Sequence, residues 1–388
     1  MRLWYNPANE IGGQWPKEKR EMVKSNVLVA AMGIAGVFVS AAALAAPTMG
    51  VVDGKYVIDV PANEEHTLTA DDVAAMMNED NAAYPLAKKG EGTLIVGAVM
   101  ANYSNDIYIL EGQYKSIAAT SFGTTNGITY VDGGTIWGTV GAGTGWTADG
   151  GSPAYGGEKF HLKGTGYNNL GAIHQTNNDC SNFAGRGGIT LDGDIRVTGT
   201  KTLEFRYGTV YCNSNTVTVA MNDNILFRFV ALSCKNPGSI EVESGRFGFE
   251  STTGEGSSTY SVTLEPGTKL YLNNCLNLQN RTLWIKDGAS VQIATGGTHT
   301  PGSMASPVNQ WNGPVTVDGD VSVYFMGLRR TFNLSSLVSG DGGFTGYGGG
   351  YIQIANPNNT FAGGVSVTGK VGVAEGTVTG GVYAVKTT

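Results

Sequence analysis

The sequence predicts an all-β protein, on three observations. Between Asn312 and Val373 the chain is almost wholly short, alternating apolar stretches separated by glycine turns, the period-two signature of strands with one buried side. One phrase then recurs: Gly187-Gly188-Ile189-Thr190-Leu191-Asp192-Gly193-Asp194-Ile195-Arg196-Val197 is matched by Gly313-Pro314-Val315-Thr316-Val317-Asp318-Gly319-Asp320-Val321-Ser322-Val323. Each copy reads as two strands broken by an Asp-Gly pair, the usual signal of a tight reversal, at the same place in the pattern. Third, glycine supplies 58 of 388 residues while hydrophobic residues remain at 41%. That is roughly twice the usual glycine content, yet leaves enough apolar surface for a core full of turns.

Charge narrows the function classes. The chain carries 25 Lys and Arg against 32 Asp and Glu, a net −7; without residues 1–45 the balance is 20 against 29, or −9. Nucleic-acid binding needs clustered Lys and Arg, so no such partner is expected. Only 15% of residues are charged, leaving Ser, Thr, Asn and Gly to cover the surface, as in many secreted β proteins.

Residues 1–21 are hydrophilic and patternless, and Met22 is an alternative start that would place them upstream of the protein. Lys24 then precedes an apolar run from Val27 to Ala46 ending in Ala43-Leu44-Ala45. A basic region, an apolar middle and a small-residue end form an export signal with a processing site, which makes Ala46 the expected mature terminus. The competing reading is a membrane anchor, since about 20 apolar residues span a bilayer. Residues 46–90 read as an N-terminal strand and a capping helix between Pro61 and Lys89. There Thr69 caps, Asp71 and Asp72 lie in the first turn, and Val73, Met76 and Met77 share one face. The Gly-x-Gly triplets between Gly133 and Gly157 are not a dinucleotide fingerprint, because no helix follows to meet a pyrophosphate. From His161 onward strands recur every 8 to 12 residues, a spacing that fits a sandwich, a barrel or a solenoid.

A family resemblance favours the solenoid. Leu337-Val338-Ser339-Gly340-Asp341-Gly342-Gly343-Phe344 and Asn358-Asn359-Thr360-Phe361-Ala362-Gly363-Gly364-Val365-Ser366-Val367 resemble the passenger-associated strand repeat of bacterial autotransporters. Lys88-Lys89-Gly90-Glu91-Gly92-Thr93-Leu94 is similar to that repeat's strand opening, and Gly245–Phe249 and Gly288–Ile293 to its intermediate strands. Gly346-Tyr347-Gly348-Gly349-Gly350-Tyr351-Ile352 departs from it, since the family has Lys-x-Gly-x-Gly-Thr-Leu there. The resemblance runs from about Asp71 onward, loosely between Gly97 and Lys159. It implies a right-handed parallel β-helix over 91–388 with a short N-terminal capping helix. At roughly 20–25 residues per coil and ~4.8 Å per rung, this gives about 12–14 rungs. The last stretch, Tyr383 to Thr388, lies in mid-pattern with no closing element, so an incomplete C-terminus and end-to-end self-association are expected.

Candidate chemistry is sparse. Cys180, Cys212, Cys234 and Cys275 are even in number in an exported chain, so disulfides are expected, with buried free thiols as the competing reading. No Cys-x-x-Cys pair exists, and His161, His174 and His299 are not at zinc-ligand spacing to them. Asp192 with Asp194 and Asp318 with Asp320 are the paired carboxylates that a glycan-cleaving site would need. Their repetition favours a turn-forming role, and they offer too few oxygens for calcium. Trp137, Trp146 and Tyr155, read as exposed aromatics set in the glycine-rich loops, are candidate sugar-contacting residues. The expectation is an exported, non-catalytic scaffold without cofactor or metal. It would be a cell-surface, outer-membrane-associated or extracellular passenger or adhesin, binding surface glycans or host and neighbour-cell proteins through many weak contacts. The alternatives are a polysaccharide-active lyase or hydrolase and a carbohydrate-binding module.

Overall fold

The computed structural model describes residues 45–139, 157–176, 181–183, 187–236, 238–250, 261–275, 278, 281–294, 309–369 and 372–373. The expected signal region up to Leu44, Cys180, Trp146, Tyr155, His299 and the stretch from Tyr383 lie outside them. Over the described residues the chain is a parallel β-solenoid. It opens with an antiparallel hairpin, Thr48–Val52 on Lys55–Asp59, and every later strand pairing is parallel.

Each coil visits up to three faces. The second face is the most continuous, with twelve strands in one hydrogen-bonded stack. They are Glu65–Thr67, Thr93–Val96, Gln113–Ser116, Thr135–Gly138, Ile173–Gln175, the end of Ile189–Gly199, Thr216–Met221, Ser239–Ser244, Ser261–Leu264, Thr282–Ile285, Val315–Val317 and Val338–Ser339. The first face begins with Lys55–Asp59, Leu86–Lys89, Ile107–Ile109, Ile128–Asp132 and Lys159–Gly164. A third strand face starts at Ser181–Phe183 and continues through Leu203–Tyr211, Leu226–Lys235, Arg246–Glu250, Lys269–Asn273, Ser290–Ile293, Val321–Leu334 and Phe344–Ile354.

Period two explains the core. On the second face Ile195, Val217, Ile240, Val262, Leu283, Val315 and Val338 stand directly above one another, and all are buried. β-branched and leucine side chains stacked at one strand spacing exclude water along the whole column. On the third face the inward column is aromatic: Phe205, Phe227, Phe229, Phe247 and Phe249 pack mostly edge to face, with centroids 4.9 to 6.0 Å apart. Trp311 continues it at 6.2 Å from Phe249 and donates its Nε1–H to the Arg281 carbonyl at 2.9 Å.

Before the third strand face begins, helical turns close the coil. The α-helix Ala70–Met76 starts from a capping box in which the Thr69 hydroxyl accepts from the Asp72 N–H at 3.2 Å and Asp72 Oδ2 accepts from the Thr69 N–H at 2.8 Å. Val73 and Met76 are buried, but Met77 is exposed. The helix ends one residue earlier than its apolar pattern predicts, which turns Met77 away at the C-cap.

The Asp-Gly-Asp phrases do not reverse the chain. Ile189–Gly199 is one bent strand: its first half pairs with Phe160–Leu162 on the first face and its second half with Ile173–Gln175 on the second. The other copy leads from Val315–Val317 on the second face to Val321 on the third. Both are therefore corners, and they are different corners. A Cβ on Gly193 would lie 2.7 Å from Lys163 Cγ, and one on Gly319 would lie 2.1 Å from Asp287 Oδ1. At both corners a larger residue would have to displace a side chain of the preceding coil, Lys163 or Asp287. Similarly, a Cβ on Gly350 would lie 2.1 Å from Phe325 Cδ1, so the divergent Gly346–Ile352 phrase is glycine-rich where an aromatic ring fills the site.

Candidate functional site

The four candidate aspartates separate into corner and surface roles. Asp194 Oδ1 accepts the Thr216 N–H at 2.7 Å, tying one coil to the next. Asp192 Oδ2 lies 2.9 Å from His161 Nδ1, and Asp318 Oδ2 accepts the Trp284 indole N–H at 2.6 Å. Asp320 lines a groove on the third face. The two pairs do not converge, because five coil steps separate Ile195 from Val315, about 24 Å at ~4.8 Å per step.

Cys212 and Cys234 are buried free thiols on adjacent coils, where Val210 pairs with Cys234 and the Cys212 N–H donates to the Lys235 carbonyl at 2.9 Å. The two thiols hydrogen-bond to each other, and together with burial this pushes the Cys212 thiol up. Cys275 is buried elsewhere, its Sγ–H donating to the Phe249 carbonyl at 3.0 Å. Trp137 lies on the strand Thr135–Gly138 rather than in a loop. Its indole N–H is bonded to Thr176 and the Lys115 ammonium sits 4.3 Å from its ring centroid.

Across the third face runs a charge network that no sequence motif announces. Glu204 is fully buried, Arg206 Nε donates to its Oε2 at 2.6 Å, and Arg228 Nε donates to its Oε1 at 2.7 Å. Arg228 also bonds Glu250 on the following coil. Burial alone would raise the Glu204 pKa, but the Arg206 hydrogen bond and the two guanidinium charges hold it below the usual glutamate value.

Next to this network lies a groove of about 490 Å³, lined among others by Asn224, Arg246, Lys269, Gln292, Asp320 and Tyr324. Its floor crosses two successive corners at Gly267 and Gly288, with φ of +82° and +79°. Those left-handed values favour glycine, and a Cβ at Gly267 would meet nothing within 4 Å; the missing side chains keep the floor low. At the far end Tyr324 is half exposed and stacked on Tyr347, with ring centroids 5.2 Å apart. A smaller groove of about 320 Å³ on the first face is lined by Tyr108, Tyr130, Asp132, His161, Lys163 and Asp192, among others. Tyr108 and Tyr130 stack at 4.7 Å and 6°, so each covers one face of the other.

Among the described residues no group of three His, Cys, Asp or Glu side chains is placed to hold a metal ion, and no helix is long and apolar enough to cross a membrane. Comparison with protein-family models, curated proteins and solved structures gave no match to this chain.

Proposed function

We propose that this protein is an exported, non-catalytic β-helix scaffold of the autotransporter-passenger kind, displayed at or released from a cell surface. Its long faces would bind surface glycans, or proteins of host and neighbouring cells, through many weak contacts. The observation that carries this reading is the engagement of the paired aspartates, the carboxylates that a glycan-cleaving site would use. Asp194 accepts the Thr216 N–H, Asp192 is bonded to His161 and Asp318 accepts the Trp284 indole N–H. The faces supply instead outward columns with one side chain per coil, a geometry suited to multivalency.

A second reading, a glycan-active enzyme, draws on the first-face groove, where His161 and Asp192 form a hydrogen-bonded pair beside two tyrosines. One experiment separates the two. The purified protein is presented to a panel of immobilised polysaccharides and whole cells while soluble products are assayed for new reducing ends or unsaturated sugars. Density-dependent retention without product release is the expected result. Release of products that disappears in Asp192→Asn would establish the enzyme.

A further inference from the structure

Among the described residues Arg246 and Lys269, two cations of the third-face groove, form an ion pair with no carboxylate, although Asp320 lines the same groove. Arg246 and Lys269 are direct partners on adjacent coils, one strand spacing apart, and like charges in that position repel. Other cations nearby are neutralised: Arg206 and Arg228 by Glu204 and Glu250, Arg196 by Glu243, Lys286 by Glu265. By contrast Arg246 donates from NH1 to the neutral Gln292 amide at 3.0 Å, and Lys269 Nζ to the neutral Asn224 amide at 2.7 Å. Arg246 Nε is buried without a hydrogen-bond partner.

We infer that this groove is a binding subsite for the carboxylate of an acidic sugar unit in a glycan chain, held between Arg246 and Lys269. The inference rests on the scaffold reading above and names the ligand for one of its faces. A carboxylate between the two cations relieves their repulsion, and charge-assisted bonds of this kind are the strong ones in a wet site. The other lining groups suit sugar hydroxyls: Ser290 and Ser322 offer short polar contacts, and Asp320 accepts hydrogen bonds. Tyr324, whose one side is covered by Tyr347, supplies an aromatic wall for the apolar side of a pyranose ring. The groove's volume falls within the usual range of ligand sites. In a chain of net −7, long-range attraction does not bring a polyanion here, so the site itself must do the work, and binding should weaken as salt rises.

The test uses the full chain and two probes that differ at the carboxyl group, a homogalacturonan oligosaccharide and its fully methyl-esterified form, measured by calorimetry at low and physiological salt. The free acid is expected to bind at least about tenfold more tightly than the ester. Arg246→Gln and Lys269→Gln should each remove most of that preference, while Lys286→Gln, outside the groove, should leave it intact. Equal affinity for acid and ester, or a preference that survives both groove variants, overturns the inference. If the protein retains cells or neutral polysaccharides but shows no acid preference, the subsite fails and the scaffold reading stands. Cleavage of either oligosaccharide would instead remove the scaffold reading while leaving the acid preference to be judged on its own.

Discussion

Asp194 reaches one coil forward to Thr216, its Oδ1 accepting the Thr216 backbone N–H at 2.7 Å. The same device recurs on the first face, where Asp106 Oδ1 accepts the Ile128 N–H at 2.9 Å. In each case a corner aspartate accepts the N–H of the residue that opens a strand on the next coil, giving that N–H a partner. Asp194→Ala should therefore cost about 1 kcal/mol of stability, and Asp194→Asn, which keeps an acceptor, distinctly less. Asp320→Asn, at a groove wall, should leave stability unchanged. Urea midpoints of the three variants decide the matter: equal losses at Asp194→Asn and Asp194→Ala would show that charge, not the acceptor, holds the corner.

Glu204 is the keystone of the third-face charge network. Replacing it with Gln leaves Arg206 and part of Arg228 facing a neutral group inside the protein, and breaking a buried pair of this kind costs about 3 to 5 kcal/mol. The pH dependence follows from the lowered pKa. A carboxylate held below its unfolded value stabilises the fold above that unfolded value and loses its contribution as pH falls through the folded one. Acid unfolding should accordingly begin below the ordinary glutamate range, and the acid limb should be absent or shallower in Glu204→Leu. Identical acid limbs in the two proteins would assign acid unfolding to other groups.

Much of the architecture is legible in the residues, and what is hidden has a physical cause. Alternating Val, Ile and Leu around glycines announces strands and corners because period two and positive φ are local properties. Thr69 with Asp72 announces the helix for the same reason. Which corner an Asp-Gly-Asp phrase makes is not local. The copies at Asp192 and Asp318 read alike yet turn from the first to the second face and from the second to the third, because the face depends on chain length accumulated in the loops between them. The binding groove is hidden likewise. Arg246 and Lys269 meet only when a coil of 23 residues is fixed, and Gln292 reaches Arg246 across a separation of 46. No motif spans such intervals.

Of the described cysteines, Cys212 and Cys234 are the pair placed to bridge, since they lie on adjacent coils with their thiols hydrogen-bonded. Under oxidised glutathione, which takes up the two electrons and two protons of the thiols, a Cys212–Cys234 disulfide should form. Cys275, bonded to Phe249, should remain alkylatable after denaturation. Peptide mapping of denatured, alkylated protein without reductant checks this. Because both thiols are buried, oxidation should be slow in the folded state and accelerate in mild urea. A bridge to Cys275 instead would show that the coils rearrange before oxidation.

Two buried ionisable groups on the first face work against stability near neutrality, in adjoining pH windows. Glu158 is buried with Thr129 Oγ1 donating to its Oε1 at 2.9 Å, and desolvation, reinforced by Asp106 and opposed by Thr129 and Lys159, raises its pKa to about 8. The folded state therefore keeps a proton that the unfolded chain releases near pH 4.5, so stability falls by about 1.4 kcal/mol per pH unit between that value and about 8. Lys88 is buried with its Nζ donating to the carbonyls of Lys89, Gly90 and Glu111 at 2.7, 2.6 and 3.2 Å. Desolvation outweighs the favourable charges of Asp59 and Glu111 and lowers its pKa to about 8. Between about 8 and the unfolded value of 10.5 the unfolded chain holds the extra proton, so this group makes stability rise with pH at a similar slope. Together they place a local minimum of stability near pH 8. Glu158→Gln keeps an acceptor for Thr129, removes the descending limb and should be more stable than the wild type at pH 7 but no more stable below pH 4.5. Lys88→Met should remove the ascending limb, and the three carbonyls it strips of a donor add a loss of about 1 to 3 kcal/mol that does not vary with pH. Chemical denaturation from pH 4 to 10.5 reads both limbs directly, and a profile without a minimum, unaltered in slope by Glu158→Gln, would show that Glu158 is ionised and solvated in the folded protein.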